Sequence, residues 1–223
     1  MSQPPDLLVR AAVCYEHIGD YTSAARCREQ AGHRLKAAEL WEATGEYARA
    51  ADCWRQAGRP LGAADCLLKL ERYEEAAECF AGGGDRLTGG WTLVTRTRSF
   101  EAARRMFETA EPRNGGQRLR RRLGLCLTQA QAVSDSGPLV RTLRAVPDGI
   151  RSLDPARERP EVELWAVTAA GHIRRPDLAA MVFAASHRAG VRGSTDRWLR
   201  WAAQTLGDTT GIPSAPAGTA DPA

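Results

Sequence analysis

The sequence has little lysine, little histidine and no long apolar run. Of its 31 basic residues only Lys36 and Lys69 are lysine. An arginine excess beside abundant Ala and Gly reads as the coding bias of a high-GC genome rather than as selection for phosphate contacts. No stretch approaches the ~18 uninterrupted apolar residues of a membrane span, so none is expected. Residues 1–6 lack both a basic segment and an apolar core, so no secretory leader is expected and the default location is cytoplasmic. The six cysteines include no C-x-x-C pair, and none of the four histidines stands at ligand spacing, which argues against a zinc framework. No Ser or Cys nucleophile shares a recognisable motif with a histidine. A catalytic site, a metal, a cofactor and a small-molecule substrate are therefore not expected. Gly82-Gly83-Gly84 follows no strand and precedes no G-K-[ST], so it reads as an elongated turn rather than a phosphate loop.

What is present is a repeat. Alanine pairs occur at Ala11-Ala12, Ala24-Ala25, Ala37-Ala38, Ala50-Ala51, Ala63-Ala64 and Ala76-Ala77, each 13 residues after the last. Gly19, Gly32, Gly45, Gly58 and Gly84 keep the same step, with Glu71 as the exception. Tyr21, Tyr47 and Tyr73 recur at the doubled step, and Phe100 follows one residue late. The unit is a hairpin of two helices in 26 residues. Paired alanines let a neighbouring backbone approach closely, and Tyr15, Trp41, Trp54, Leu67, Phe80 and Phe107 fill the gap one turn later. A glycine just past a helix end supplies the left-handed conformation that closes it. Asp20 or Glu46 then starts the next helix, where a carboxylate suits the dipole. The tyrosines are expected to wedge between hairpins. Each helix has room for ~9–10 residues, or ~14 Å, which is marginal alone and persists only by stacking.

Five cysteines, Cys14, Cys27, Cys53, Cys66 and Cys79, share one position of the unit, with Leu40 as the missing member. A slot that takes Cys or Leu is a packing slot, so burial is expected there and at Cys126. The first hairpin shows Ala and Cys faces with no polar cap, which suggests that something covers that end.

The run Gly45-Glu-Tyr47-x-x-Ala50-x-x-x-Trp54-x-x-Ala57, repeated as Gly19-Asp-Tyr21-x-x-Ala24 and Tyr73-x-x-Ala76-x-x-x-Phe80, resembles the tetratricopeptide family. That family repeats every ~34 residues. The 26-residue spacing is more similar to the compact hairpins of coatomer and clathrin-type solenoids and of vesicle-fusion attachment proteins. The resemblance covers residues 6–112. It implies an all-α, α-α superhelix of short antiparallel hairpins, serving as a non-enzymatic adaptor that docks another protein or peptide, for example in a signalling or defence assembly.

A degenerate helical continuation is expected over residues 113–207. It comprises helices at 117–133 and 138–146, a Pro147-Asp148-Gly149 turn, a loop at 154–160, a hairpin at 161–173 and 176–189, and a last helix to about residue 206 capped by Ser194 or Thr195. Trp198 and Trp201 should dock on the preceding hairpin. The Gly/Thr/Pro/Ala-rich stretch 208–223 is expected to be a disordered tail.

In tetratricopeptide arrays the first helix of each hairpin lines the concave face. Carried over, this places Glu16 and His17, then Glu39 and Glu42, then Asp65 and Lys69, then Arg96 along a partner-binding groove running from acidic to basic. The net charge of +4 is uneven. Residues 86–160 carry 15 basic and 7 acidic side chains, whereas residues 1–85 carry 10 and 14. An alternative function is therefore nucleic-acid association through residues 86–160. Arg118, Arg120, Arg121 and Arg122 are its candidate anion patch, since four cations at a helix start oppose the dipole and call for an anionic partner or an acidic neighbour within the chain.

Overall fold

In a computed structural model, residues 5–207 are described, and the tail expected at 208–223 lies outside the described residues. Among the described residues every regular element is an α-helix, thirteen in all, so the fold is the expected all-α helical repeat. Contacts divide the chain into unit 1, Met1–Ser99, and unit 2, Phe100–Ala223.

Unit 1 is the regular array. After α1 (Pro5–His17) come α2 (Tyr21–Gln30), α3 (Arg34–Ala43), α4 (Tyr47–Gln56), α5 (Pro60–Lys69), α6 (Tyr73–Gly82) and α7 (Arg86–Arg96), each packed on the next. The starts of α2 to α7 step by 13 residues, as the alanines do. From α2 to α6 both alanines of each pair are buried, and most are wholly inaccessible. Trp41 and Leu67 fill their slots with no exposed surface. Burial of a side chain such as Leu67 contributes about 2 kcal/mol. Helices of ten residues thus gain from their neighbours what they cannot gain alone.

The turns are one device used six times. At the first, the Gly19 N–H donates to the Glu16 carbonyl and the Asp20 N–H to the Tyr15 carbonyl at 2.9 Å. The same pair of bonds recurs after α2, α3, α4, α5 and α6. This Schellman arrangement needs a left-handed residue, and the glycines supply it at φ +70 to +86°. Glu71 adopts φ +58° in the same place, so packing imposes the conformation even where no glycine eases it. The residue after the left-handed one closes one helix and is also the N-cap of the next. Only Asp20 and Asp85 cap through their side chains, to the N–H groups of Ser23 and Thr88 at 3.0 Å; Glu46 makes no such bond. Gly83, Gly84 and Asp85 form a turn of this common length, so the glycine triplet is not an elongated turn.

Unit 2 holds α8 (Phe100–Thr109), α9 (Gly115–Val133), α10 (Gly137–Ile150), α11 (Glu158–His172), α12 (Pro176–Arg188) and α13 (Ser194–Leu206). The α11–α12 hairpin repeats the unit 1 turn with Arg174 in the left-handed role at φ +54°. Three expectations are corrected here. Pro147-Asp148-Gly149 is no turn: α10 runs through it, because Leu139, Leu143, Val146 and Ile150 form one buried stripe that outweighs the bond lost at proline. The expected loop at 154–160 gives way to α11 from Glu158, with Pro160 in the first turn, where its missing N–H costs nothing. Ser194 and Thr195 do not cap α13; Gly193 precedes it, and the Ser194 hydroxyl donates instead to Glu163 Oε2 at 2.6 Å. Trp198 and Trp201 do dock, with ring centroids 5.5 and 5.7 Å from Phe183.

The cysteine slot is less uniform than its spacing suggests. Cys53 and Cys66 are buried, Cys27 and Cys79 half-buried, and Cys14 exposed; Cys126 is half-buried, beside the Thr142 hydroxyl at 3.5 Å. Tyr21 is likewise exposed, whereas Tyr47 and Tyr73 are half-buried.

Two substitutions test this packing. Ala50→Arg drives a long cation into a wholly buried contact and is expected to cost about 4 kcal/mol, read as a shift of the denaturant midpoint; an unmoved midpoint would contradict the close approach. Glu71→Gly relieves a left-handed side chain and is expected to stabilise the fold by about 1 kcal/mol in the same titration, where a loss would contradict the turn geometry.

Candidate functional site

The groove residues fall on α1, α3, α5 and α7 as expected, but several are already engaged. A ladder joins the first helices. Arg28 Nε donates to Glu16 at 3.0 Å, Trp41 Nε1 to Glu29 at 3.1 Å, and Trp54 Nε1 to Glu42 at 3.3 Å, each across 12 residues. Glu16 and Glu42 therefore serve helix–helix packing as well as the surface. The recurrence of Glu16, Glu29 and Glu42 every 13 residues was the signal for this ladder.

Glu42 also accepts from Lys69 Nζ at 2.9 Å, and that ammonium lies 4.5 Å from the Tyr47 ring centroid. Arg96 stands over Tyr73 in the same way, at 5.9 Å. Glu39 pairs with Lys36 at 3.0 Å on its own helix. His17 is exposed, with Nδ1 3.1 Å from the Val13 carbonyl oxygen. Asp65 belongs with the Glu42–Lys69 pair. Desolvation first, and then the Glu42 carboxylate, raise its carboxyl above the ordinary value, with Lys69 opposing. The structure thus brings Glu42, Asp65 and Lys69 together, and places Glu16, His17 and Arg96 on other helices.

The residues missed by charge-based reasoning are apolar. Leu35 and Leu61 occupy the same first-turn position of α3 and α5, and both are nearly half exposed, at 44% and 45%. The equivalent Leu87 of α7 is buried. Between the two leucines lies a cavity of about 530 Å³ lined by Trp54, Pro60 and Gly62, with Glu39 and Arg59 at its margin. Gly62 is required: a Cβ there would stand 2.8 Å from Trp54 Cδ2, so only glycine admits the indole against α5. The 26-residue recurrence of leucine at 35, 61 and 87 was the available signal.

The arginine run opens α9, and unit 2 absorbs half of it. Arg120 pairs with Glu161 at 2.9 Å and lies 5.1 Å from the Trp165 ring centroid. Arg121 donates to the carbonyls of Phe107 at 2.8 Å and Glu108 at 3.1 Å, closing the end of α8. Arg118 and Arg122 remain exposed. A further cluster was invisible in the sequence: the buried Glu163 accepts from Arg197 Nε and from the Ser194 hydroxyl, each at 2.6 Å, tying α13 to α11.

Burial pushes the Cys53 and Cys79 thiols up, and that of Cys66 to about 11, which keeps all three protonated at neutral pH. Among the described residues no group of three or more His, Cys, Asp or Glu is arranged to hold a metal ion, and no helix is long and apolar enough to cross a membrane. Compared with protein-family models, curated proteins and solved structures, the chain matches none.

The raised carboxyl gives a pH test. The native state holds the Asp65 proton more tightly than the unfolded chain, so stability is gained as pH falls through the folded value. Asp65→Asn is therefore expected to raise the thermal midpoint at neutral pH. The gain should vanish below the ordinary 3.8, where aspartate is protonated in both states. A gain that grew on acidification would contradict the assignment.

Proposed function

We propose that this chain is a non-enzymatic helical-repeat scaffold, of the kind that tetratricopeptide and coatomer or clathrin-type solenoids exemplify, and that it binds a partner protein or peptide on the exposed side of α3 and α5. The observation that carries this reading is the pair of exposed leucines flanking the Trp54 cavity, at a repeat position that α7 buries. A repeat fold has no packing reason to keep two leucines and an indole edge at its surface. A helix or extended segment with a large apolar side chain would seat it between Leu35 and Leu61. The Glu42–Asp65–Lys69 group on the same two helices offers both signs of charge to polar flanks of that segment. The buried, protonated thiols fit a scaffold better than a nucleophile.

The ladder dictates the choice of variant. Glu42 holds Trp54 and Lys69, so its substitution disturbs the fold together with the surface. Leu35→Asp with Leu61→Asp changes the exposed side chains and leaves the core in place. In affinity capture from the native host followed by mass spectrometry, this double variant is expected to lose at least about 90% of the partners retained by the wild type, on the scale of hot-spot losses. Equal capture by a variant of unchanged helicity would move the binding site to another face.

A further inference from the structure

The cavity between Leu35 and Leu61 lies where the repeat departs from its own pattern. Gly62 stands at a place in the 13-residue unit that Lys36, Arg49 and Glu75 fill in α3, α4 and α6. Gly83 stands at a place filled by Thr44, Ala57 and Leu70 after α3, α4 and α5. Neither glycine takes a positive φ, so backbone conformation does not require them. Both instead leave room for the walls of the cavity. A Cβ on Gly83 would stand 2.5 Å from Leu61 Cδ2, as one on Gly62 would collide with Trp54. A glycine inside a helix is destabilising by about 0.5–1 kcal/mol relative to alanine, so α5 keeps this shape against its own propensity.

Gly62 also leaves a charge unpaired. Asp20, Glu46 and Asp85, which precede α2, α4 and α7, are carboxylates, in accord with the helix dipole. Arg72 precedes α6, and Glu75, three residues on, holds its guanidinium at 2.6 Å. Arg59 precedes α5, and the residue three positions on is Gly62. Arg59 is exposed, and no carboxylate among the described residues pairs with it. It is also the one cation among the residues that line the cavity. Glu39, at the same margin, is already neutralised by Lys36 at 3.0 Å. The uncompensated charge at the cavity is therefore positive, although residues 1–85 as a whole are acidic. Given the partner face proposed above, on which this inference rests, we propose that the segment bound there is acidic: a large apolar side chain seats between Leu35 and Leu61, and an adjoining Asp or Glu pairs with Arg59. A guanidinium takes a carboxylate in two parallel hydrogen bonds. A basic segment would set a like charge against Arg59, so the site discriminates by sign as well as by shape.

Selection from a random-peptide display library on the immobilised full chain tests it. The wild type is expected to enrich sequences in which a large apolar residue adjoins Asp or Glu. Arg59→Glu is expected to enrich the same apolar residue beside Lys or Arg. A synthetic peptide selected by the wild type should bind Arg59→Glu about tenfold more weakly in fluorescence anisotropy, with a smaller loss for Arg59→Gln. Arg59 is exposed, so the helical circular dichroism of both variants should match the wild type. Leu35→Asp with Leu61→Asp should enrich neither class. An apolar residue enriched with no acid beside it, or the same sequences from wild type and Arg59→Glu, would overturn the acidic partner and leave the face standing. No enrichment by the wild type, or enrichment that survives Leu35→Asp with Leu61→Asp, would overturn the face and the acidic partner with it.

Discussion

Everything in unit 1 depends on how closely two short helices can approach. The buried alanine pairs set that distance, and the three-residue turn fixes the angle at which the next helix arrives. Ten-residue helices have too few internal hydrogen bonds to offset the cost of nucleation. Their stability is collective, because the contact that one helix offers its neighbour is offered again 13 residues later. A left-handed Glu71 is tolerated for the same reason: neighbours on both sides over-determine the turn.

This regularity shapes the surface as well as the core. Two carboxylates that read from sequence as part of a groove, Glu16 and Glu42, are partly spent holding a guanidinium and an indole in place. The lysine and arginine on α5 and α7 lie over the tyrosines of α4 and α6, so these cations also serve packing. What the array leaves open is defined by exceptions to its own pattern. Such an exception is the pair of leucines, Leu35 and Leu61, exposed where Leu87 is buried. In unit 2 the same economy removes two of four clustered arginines from the surface, one to a carboxylate and one to a helix end.

The fold was legible because its determinants are local and periodic. Alanine pairs, turn glycines and large residues at fixed offsets specify helix, turn and contact without knowledge of the rest of the chain. The candidate site was less legible because burial depends on neighbours. Leu87 and Leu61 are indistinguishable in sequence, and only their surroundings separate them. The five cysteines show the same limit: one slot yields buried, half-buried and exposed thiols according to position in the array. In unit 2 the repeat degenerates, and local rules misled where long-range burial prevailed. Pro147 signalled a turn, yet the stripe ending at Ile150 holds the helix through it. Glu163 and Ser194 lie 31 residues apart, and no local pattern announces their bond.

The central claim is that these helices exist by stacking rather than by their own propensity. Circular dichroism of a synthetic peptide spanning residues 47–72, one 26-residue period with α4, α5 and their turns, tests it most directly. In buffer the peptide should show a disordered spectrum, although the same residues are helical throughout α4 and α5 in the chain. A peptide that is largely helical alone would contradict the claim and return the origin of the fold to local sequence.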